Sequence, residues 1–172
     1  MYILETDRLR LRRLTLQDRA DIHSVLLDAH TMTVMHLPCS EEFADQWLDR
    51  QIAFYETHGT ANWYAERKAD GAFIGVMGLM AHEMNGASVA ELGYLIHPDY
   101  QRQGYASEGA KACMEYAFQV LNADYVTASI AADNTPSLSL AEKLGFFPFQ
   151  EHIYRRNGED VRYILYGVNR PY

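Results

Sequence analysis

The chain of 172 residues predicts a single α/β (α+β) domain: one mixed, mostly antiparallel twisted sheet of six or seven strands with four helices packed on it. Three observations carry this. The length suits one domain, 1–172, since domains usually run about 100–200 residues and bury roughly 70% of the unfolded surface at this size. The apolar period switches repeatedly between that of a strand and that of a helix. Several successive strands are joined by hairpin turns, which a doubly wound parallel fold does not use.

Arg8-Leu9-Arg10-Leu11-Arg12 alternates polar and apolar residues, the pattern of a half-buried strand. Thr15 with Asp18 reads as a capping box opening a helix to Ala29, with Ile22, Val25, Leu26 and Ala29 on one face. Ser40 caps a second helix that runs to Thr57 and carries Phe43, Trp47, Ile52 and Phe54. Two strands follow, Trp63 to Arg67 and Phe73 to Met80, joined at Asp70-Gly71. Ser88 to His97 is a further strand, stopped by Pro98-Asp99. A helix from Tyr105 to Leu121 places Ala106, Ala110, Cys113, Ala117 and Leu121 at helical spacing. Tyr125 to Ala131 is a strand, Ser137 to Leu144 a short helix, and Gly145 its C-cap. Strands Phe149 to Tyr154 and Val161 to Val168 close the chain around the turn Asn157-Gly158.

The composition narrows the function. With 15 Lys+Arg against 23 Asp+Glu and a net charge of -8, no basic footprint for nucleic acid is expected. The longest apolar run, Phe73 to Ala81, is far short of the ~20 residues that span a bilayer, so no membrane partner is expected. Two cysteines, Cys39 and Cys113, form neither a disulfide framework nor a metal site. The expectation is a soluble, reduced, cytoplasmic protein without a metal. Phosphate-loop, dinucleotide and nucleophile-elbow motifs are missing, as is His-Glu-x-x-His among the seven histidines.

The chemistry concentrates where the strand ending at His97 gives way to the loop Pro98–Gly104 and a helix from Tyr105. Backbone N–H groups at a helix N-terminus lack intrahelical acceptors and carry partial positive charge, so such a turn binds phosphate. Gly104 lets the backbone approach closely, and Arg102 adds a cation for the same anion.

Here the chain resembles the GNAT N-acetyltransferase superfamily. Gln101-Arg102-Gln103-Gly104-Tyr105-Ala106 is similar to its acetyl-CoA signature, and Asn134-Thr135-Pro136-Ser137 with Leu144-Gly145-Phe146 is similar to its Asn-x-x-Ser and Leu-Gly-Phe segment. The opening Thr6-Asp7-Arg8-Leu9-Arg10-Leu11-Arg12 and Gly71-x-x-Ile74-Gly75 resemble the ribosomal-protein N-acetyltransferase (RimJ/RimL-like) branch. The resemblance implies a splayed parallel strand pair that holds the coenzyme. Leu95, Ile96 and His97 would bind pantetheine through their main chain, and Arg102, Gln103, Gly104, Tyr105, Ala106 and Ser107 would receive the pyrophosphate. Asn134 would bond pantetheine or adjacent backbone, and Ser137 would lie near the thioester sulfur as proton donor. Many members carry a general-acid Tyr where this chain has Ala141, and a second loop glycine that Arg102-Gln103-Gly104 lacks.

Glu91, in the strand before the signature, is the candidate base; the alternative is an ordinary solvated or ion-paired strand carboxylate. A lysine-like amine is only about 0.04% neutral at pH 7, a deficit of roughly 4.6 kcal/mol, whereas an α-amine is about 14% neutral, a deficit of ~1.1 kcal/mol. An α-amine tolerates a weak base. The resemblance therefore implies acetyl-CoA-dependent transfer to a primary amine in a ternary complex, with a protein N-terminus favoured. A small amine such as a polyamine, amino acid or aminoglycoside is the second acceptor class, and a non-catalytic acyl-CoA-binding module is the third reading. Exposed strand edges allow a homodimer.

Overall fold

Alternation in Leu9-Arg10-Leu11-Arg12 sets the two faces of the sheet. Leu9 and Leu11 are fully buried, while Arg12 turns to the other side and forks onto Asp18 at 2.7 and 2.8 Å. The computed structural model, described over residues 1–171, builds eight strands and five α-helices on this plan. In chain order they are β1 (Tyr2–Glu5), β2 (Leu9–Arg13), α1 (Arg19–Leu26), α2 (Ala29–Val34), α3 (Glu41–His58), β3 (Asn62–Arg67), β4 (Phe73–Met84), β5 (Ala87–Ile96), α4 (Tyr105–Gln119), β6 (Tyr125–Ala131), α5 (Thr135–Lys143), β7 (Phe147–Arg156) and β8 (Glu159–Asn169). The sheet order is β1-β2-β3-β4-β5-β6-β8-β7, antiparallel throughout except for β5 and β6.

Helices cover both faces of the central strands. Gly109 of α4 lies so close to β4 that a Cβ there would stand 1.8 Å from Met77 Sδ. On the opposite face the Tyr64 hydroxyl donates to Asp21 of α1 at 2.9 Å, and Tyr55 of α3 donates to the carbonyl of Asn62 while accepting from Leu14 N–H. Trp63 and Tyr55 are core residues, and Trp47 and Phe54 pack partly buried against them.

Three expectations change. Tyr2–Glu5 forms an edge strand on β2 that its short, half-exposed run does not announce. The helix expected to reach Ala29 stops at Leu26, because Asp28 adopts extended backbone and caps α2, its carboxylate accepting from Thr31 N–H at 2.7 Å. β4 runs on to Met84, so that Asn85-Gly86, with φ of 53° and 82°, forms a tight hairpin turn into β5.

Candidate active site

The parallel pairing of β5 with β6 is short. Val89, Ala90 and Glu91 stand opposite Tyr125, Val126 and Thr127, and beyond that the two strands part. From Leu92 onward the main-chain groups of β5 that face β6 have no strand opposite them, the arrangement that receives an amide-bearing ligand as an extra strand segment. On its other side β5 stays paired with β4 as far as Ile96. Gly75 permits that contact, since with φ of 144° a Cβ there would lie 2.1 Å from the Leu95 carbonyl oxygen.

A cavity of about 350 Å3 fills the opening. Leu95 and Ile96 form one wall and Asn134, Ser137 and Leu140 the other. Arg102, Gly104, Tyr105, Ala106 and Ser107 close the outer end, and His30, Val34 and Met35 of α2 close the top. A smaller cavity of about 90 Å3 continues inward between Leu92–Tyr94 and Ala128–Ala131, and shares Tyr94, Asn134 and Ser137 with the first.

The loop at the outer end is braced by its own side chains. Gln101 Nε2 donates to the Ile96 carbonyl at 3.1 Å, and Gln103 Nε2 donates to the Asp99 carbonyl at 3.0 Å. Arg102 takes φ of 60° and Gly104 takes 84°, so Arg102 adopts the left-handed backbone a glycine would enter freely. These turns lead into the first turn of α4, whose Tyr105, Ala106 and Ser107 line the cavity and whose N–H groups have no intrahelical acceptor. Arg8 reaches across from the turn between β1 and β2 and ties the loop down. It donates to the Gln103 carbonyl at 3.0 Å, pairs with Glu108 at 2.6 Å and lies 4.3 Å over the Tyr105 ring. Burial would raise the Glu108 carboxyl, but the bonds from Thr6 and Arg8 outweigh it and hold the group below its ordinary range.

The expected ligands separate into two sets. Leu95, Ile96, Arg102, Gly104, Tyr105, Ala106, Ser107, Asn134 and Ser137 line the one cavity. His97 and Gln103 lie outside its lining. The His97 N–H already donates to the Ile74 carbonyl at 2.8 Å and its ring accepts from Asp99 N–H, while Gln103 is spent on bracing the loop. Asn134 caps α5 by accepting from Ser137 N–H at 3.3 Å, which holds Ser137 at the mouth of the inner cavity. Glu91 stands where the strands part, half-buried, on the face opposite Leu92. Burial pushes its carboxyl above the ordinary carboxylate range, and nearby His82 opposes the rise only in part.

Residues 8–147 match the acetyltransferase (GNAT) domain family. The chain belongs to the GNAT acetyltransferases. It is 30% identical to the N-acetyltransferase YoaA of Bacillus subtilis across 98% of this chain and 97% of that one, and 31% identical to the Bacillus subtilis protein YkkB across 83% of each. In fold it is similar to a GNAT-family acetyltransferase from Bacillus anthracis, with a TM-score of 0.83 at 22% identity and 99% of both chains covered. It is also similar to RimL, a ribosomal α-N-protein acetyltransferase in complex with coenzyme A, with TM-score 0.81, 17% identity and 98% of each chain. Spermidine N-acetyltransferase from Vibrio cholerae, in complex with CoA and spermine, superposes with TM-score 0.78 at 20% identity over 94% and 95% of the two chains.

The protein is thus an acyltransferase of the GNAT type, built on the mixed sheet with one parallel pair. Among its described residues no helix is long and apolar enough to cross a membrane. Cys113 is fully buried in α4 and burial raises its thiol to about 12, which removes it as an acyl carrier. The residues that sequence reasoning missed are Arg8, which clamps the loop, and the α2 side chains that cap the cavity. Asp28 three residues before Thr31 was the available cap signal for α2. Arg8 bonds residues far along the chain, and no local pattern announces that.

Proposed function

We propose that this GNAT protein moves the acetyl group of acetyl-CoA directly to a primary amine, with a protein N-terminal α-amine as the favoured acceptor. The observation that supports the coenzyme is the cavity itself. One end offers an anion the N-terminus of a fifteen-residue helix and Arg102, and the rest is a slot without a carboxylate between the unpaired edge of β5 and α5. A pyrophosphate joined to an amide-bearing arm has that distribution of charge and hydrogen-bonding groups. The thioester at the end of the arm supplies the activated acyl group.

In this reading the main chain of Leu95 and Ile96 holds the arm, and the first turn of α4 with Arg102 holds the phosphates. Asn134 keeps Ser137 near the sulfur. Glu91 takes the proton of the attacking amine directly or through water. Its raised affinity for protons suits that task near neutral pH better than an exposed carboxylate would. Backbone donors that polarise the carbonyl and the fixed approach of the amine supply the remaining acceleration.

The acceptor side favours an α-amine over a polyamine. Thr127, the register partner of Glu91, lines a cavity of about 250 Å3 with Met84, Tyr125, Phe147, Phe149, Gly167 and Asn169, and Glu91 itself stands outside that lining. No carboxylate stands in that lining or in the two cavities of the cleft, so the second ammonium of a polyamine would meet no counter-charge there. An amine bearing an apolar group fits better. The likeness of Thr6–Arg12 and Gly71–Gly75 to the RimJ/RimL-like branch points the same way. The test is thiol release from acetyl-CoA with N-terminal peptides, spermidine, free amino acids and aminoglycosides. Peptide-dependent release supports the reading, and release with spermidine alone overturns the choice of acceptor.

A further inference from the structure

The role held in many GNAT enzymes by a tyrosine on the helix after Asn-x-x-Ser falls here on Ala141, which is buried in the wall of the inner cavity and bears no ionisable group. Ser137 alone is a poor substitute. An alkyl hydroxyl holds its proton far more tightly than a thiol does, so passing that proton to a thiolate is uphill unless the serine oxygen is reprotonated in the same event. A phenol, near 10, is much closer to a thiol near 8.5. The opposite wall of the cleft carries a phenol.

Tyr94, on β5, lines both cavities together with Ser137, so the phenol stands in the same narrow cleft as the serine hydroxyl. Alternation along β5 turns it away from Glu91, so acid and base stand on opposite faces of the same strand. The remaining tyrosines of the cavities are placed otherwise. Tyr163 Oη donates to the Met35 carbonyl at 3.3 Å, Tyr105 Oη accepts from Arg67 at 3.5 Å, and Tyr100 sits in the outer loop beside His97 and Arg67. His30 and Arg102 are the other ionisable side chains of the lining, and both belong to the outer cavity. Burial raises the Tyr94 phenol and the Ser137 hydroxyl opposes this in part, so the group carries its proton at neutral pH.

We propose that Tyr94 and Ser137 form a two-hydroxyl relay that protonates the sulfur of the departing coenzyme, Tyr94 supplying from β5 the phenol that α5 lacks. The relay rests on the acetyl-CoA reading given above and names the donor in the same site. As the carbon–nitrogen bond forms, the carbon–sulfur bond breaks and its electron pair leaves on sulfur. Ser137 gives its hydroxyl proton to that sulfur while Tyr94 gives its own to the Ser137 oxygen. Tyr94 regains a proton from solvent through the open cleft, and the proton lost by the amine leaves by way of Glu91. One proton is lost at nitrogen and one is gained at sulfur, so the step balances. Tyr94 touches the reaction through Ser137 and is in that sense a positioning and proton-supplying residue.

The substitution Tyr94→Phe keeps the ring and removes only the hydroxyl. Two measurements on the whole protein test the relay. Ultraviolet titration of the thiolate of bound CoA requires no acceptor: a Ser137 hydroxyl that itself accepts from Tyr94 donates more strongly to sulfur and stabilises the thiolate, so Tyr94→Phe should raise the bound thiol's titration midpoint by about one unit relative to wild type. With an acceptor from the amine panel, Tyr94→Phe should lower kcat about 10- to 100-fold and change KM for acetyl-CoA by less than about twofold. Tyr94→Phe combined with Ser137→Ala should be no slower than the slower single variant, because members of one relay do not add. An unchanged thiol midpoint in Tyr94→Phe overturns the relay whatever turnover does, as do losses that multiply in the double variant. If wild type binds CoA yet acetylates no amine, the reading of the activity fails while the thiol titration still decides the relay. If wild type binds no CoA, both fall.

Discussion

Glu91 and Arg102 show how single residues hold charge and strain for the site. In the proposed reaction the raised Glu91 carboxyl would accept an amine proton only when ionised, so kcat/KM should fall as pH drops through a midpoint above the ordinary carboxylate range. Glu91→Gln should remove that acidic limb and lower turnover by about 10²-fold, with CoA affinity intact. A pH–rate profile of both proteins checks this, and an acidic limb that survives in the variant would assign it to another group. Arg102 holds φ of 60°, a conformation that costs a residue with a Cβ about 1 kcal/mol. Arg102→Gly should therefore raise unfolding stability by up to about 1 kcal/mol while weakening CoA binding, two opposite shifts that urea unfolding and calorimetry separate.

At the scale of elements, the cleft depends on how helices sit on strands. Gly109 brings α4 onto β4, and Gly109→Ala would drive a methyl group into Met77. The expected loss is about 1–3 kcal/mol in denaturant unfolding, accompanied by weaker CoA binding because the N-terminus of α4 is displaced with the helix. α2 depends on its cap. Asp28→Ala should cost about 1 kcal/mol. The bonds from Thr31 hold the Asp28 carboxyl below its ordinary value, so its contribution is complete above about pH 4 and is lost as pH falls through the depressed midpoint. Most elements were legible in the chain for physical reasons. The alternation of Leu9–Arg12, the serine cap at Ser40 and the turn Asn157-Gly158 are local signals, and the structure obeys each. The division between α1 and α2 and the short edge strand β1 were not legible, because they follow from docking rather than from periodicity. The site divides the same way: the loop and Asn134–Ser137 were visible as motifs, whereas the clamp by Arg8 and the shared cleft of Tyr94 and Ser137 arise from the packing of distant segments.

Across the whole molecule, one half-buried ion pair joins the sheet to its first helical turn. Arg12 forks onto Asp18 and lies 3.8 Å over the Tyr64 ring. Burial pushes the Asp18 carboxyl up, but the bonds from Arg12 and Thr15 win and hold it below its ordinary value. Asp18→Ala removes the partner of Arg12 and the acceptor for Thr15 N–H, and the expected loss is about 2 kcal/mol by chemical unfolding. The same pair stabilises fully above about pH 4 and loses its contribution as pH falls through the depressed midpoint. The architecture leaves an opening where β5 and β6 part, with the N-terminus of α4 at its rim, and the proposed function places CoA there. The most direct measurement of that claim is calorimetric titration of CoA into wild type and into Gly104→Val, a variant that blocks the left-handed turn before α4. Wild type should bind one CoA per chain, and the variant at least about tenfold more weakly. Equal binding by both proteins, or none by wild type, would contradict the account.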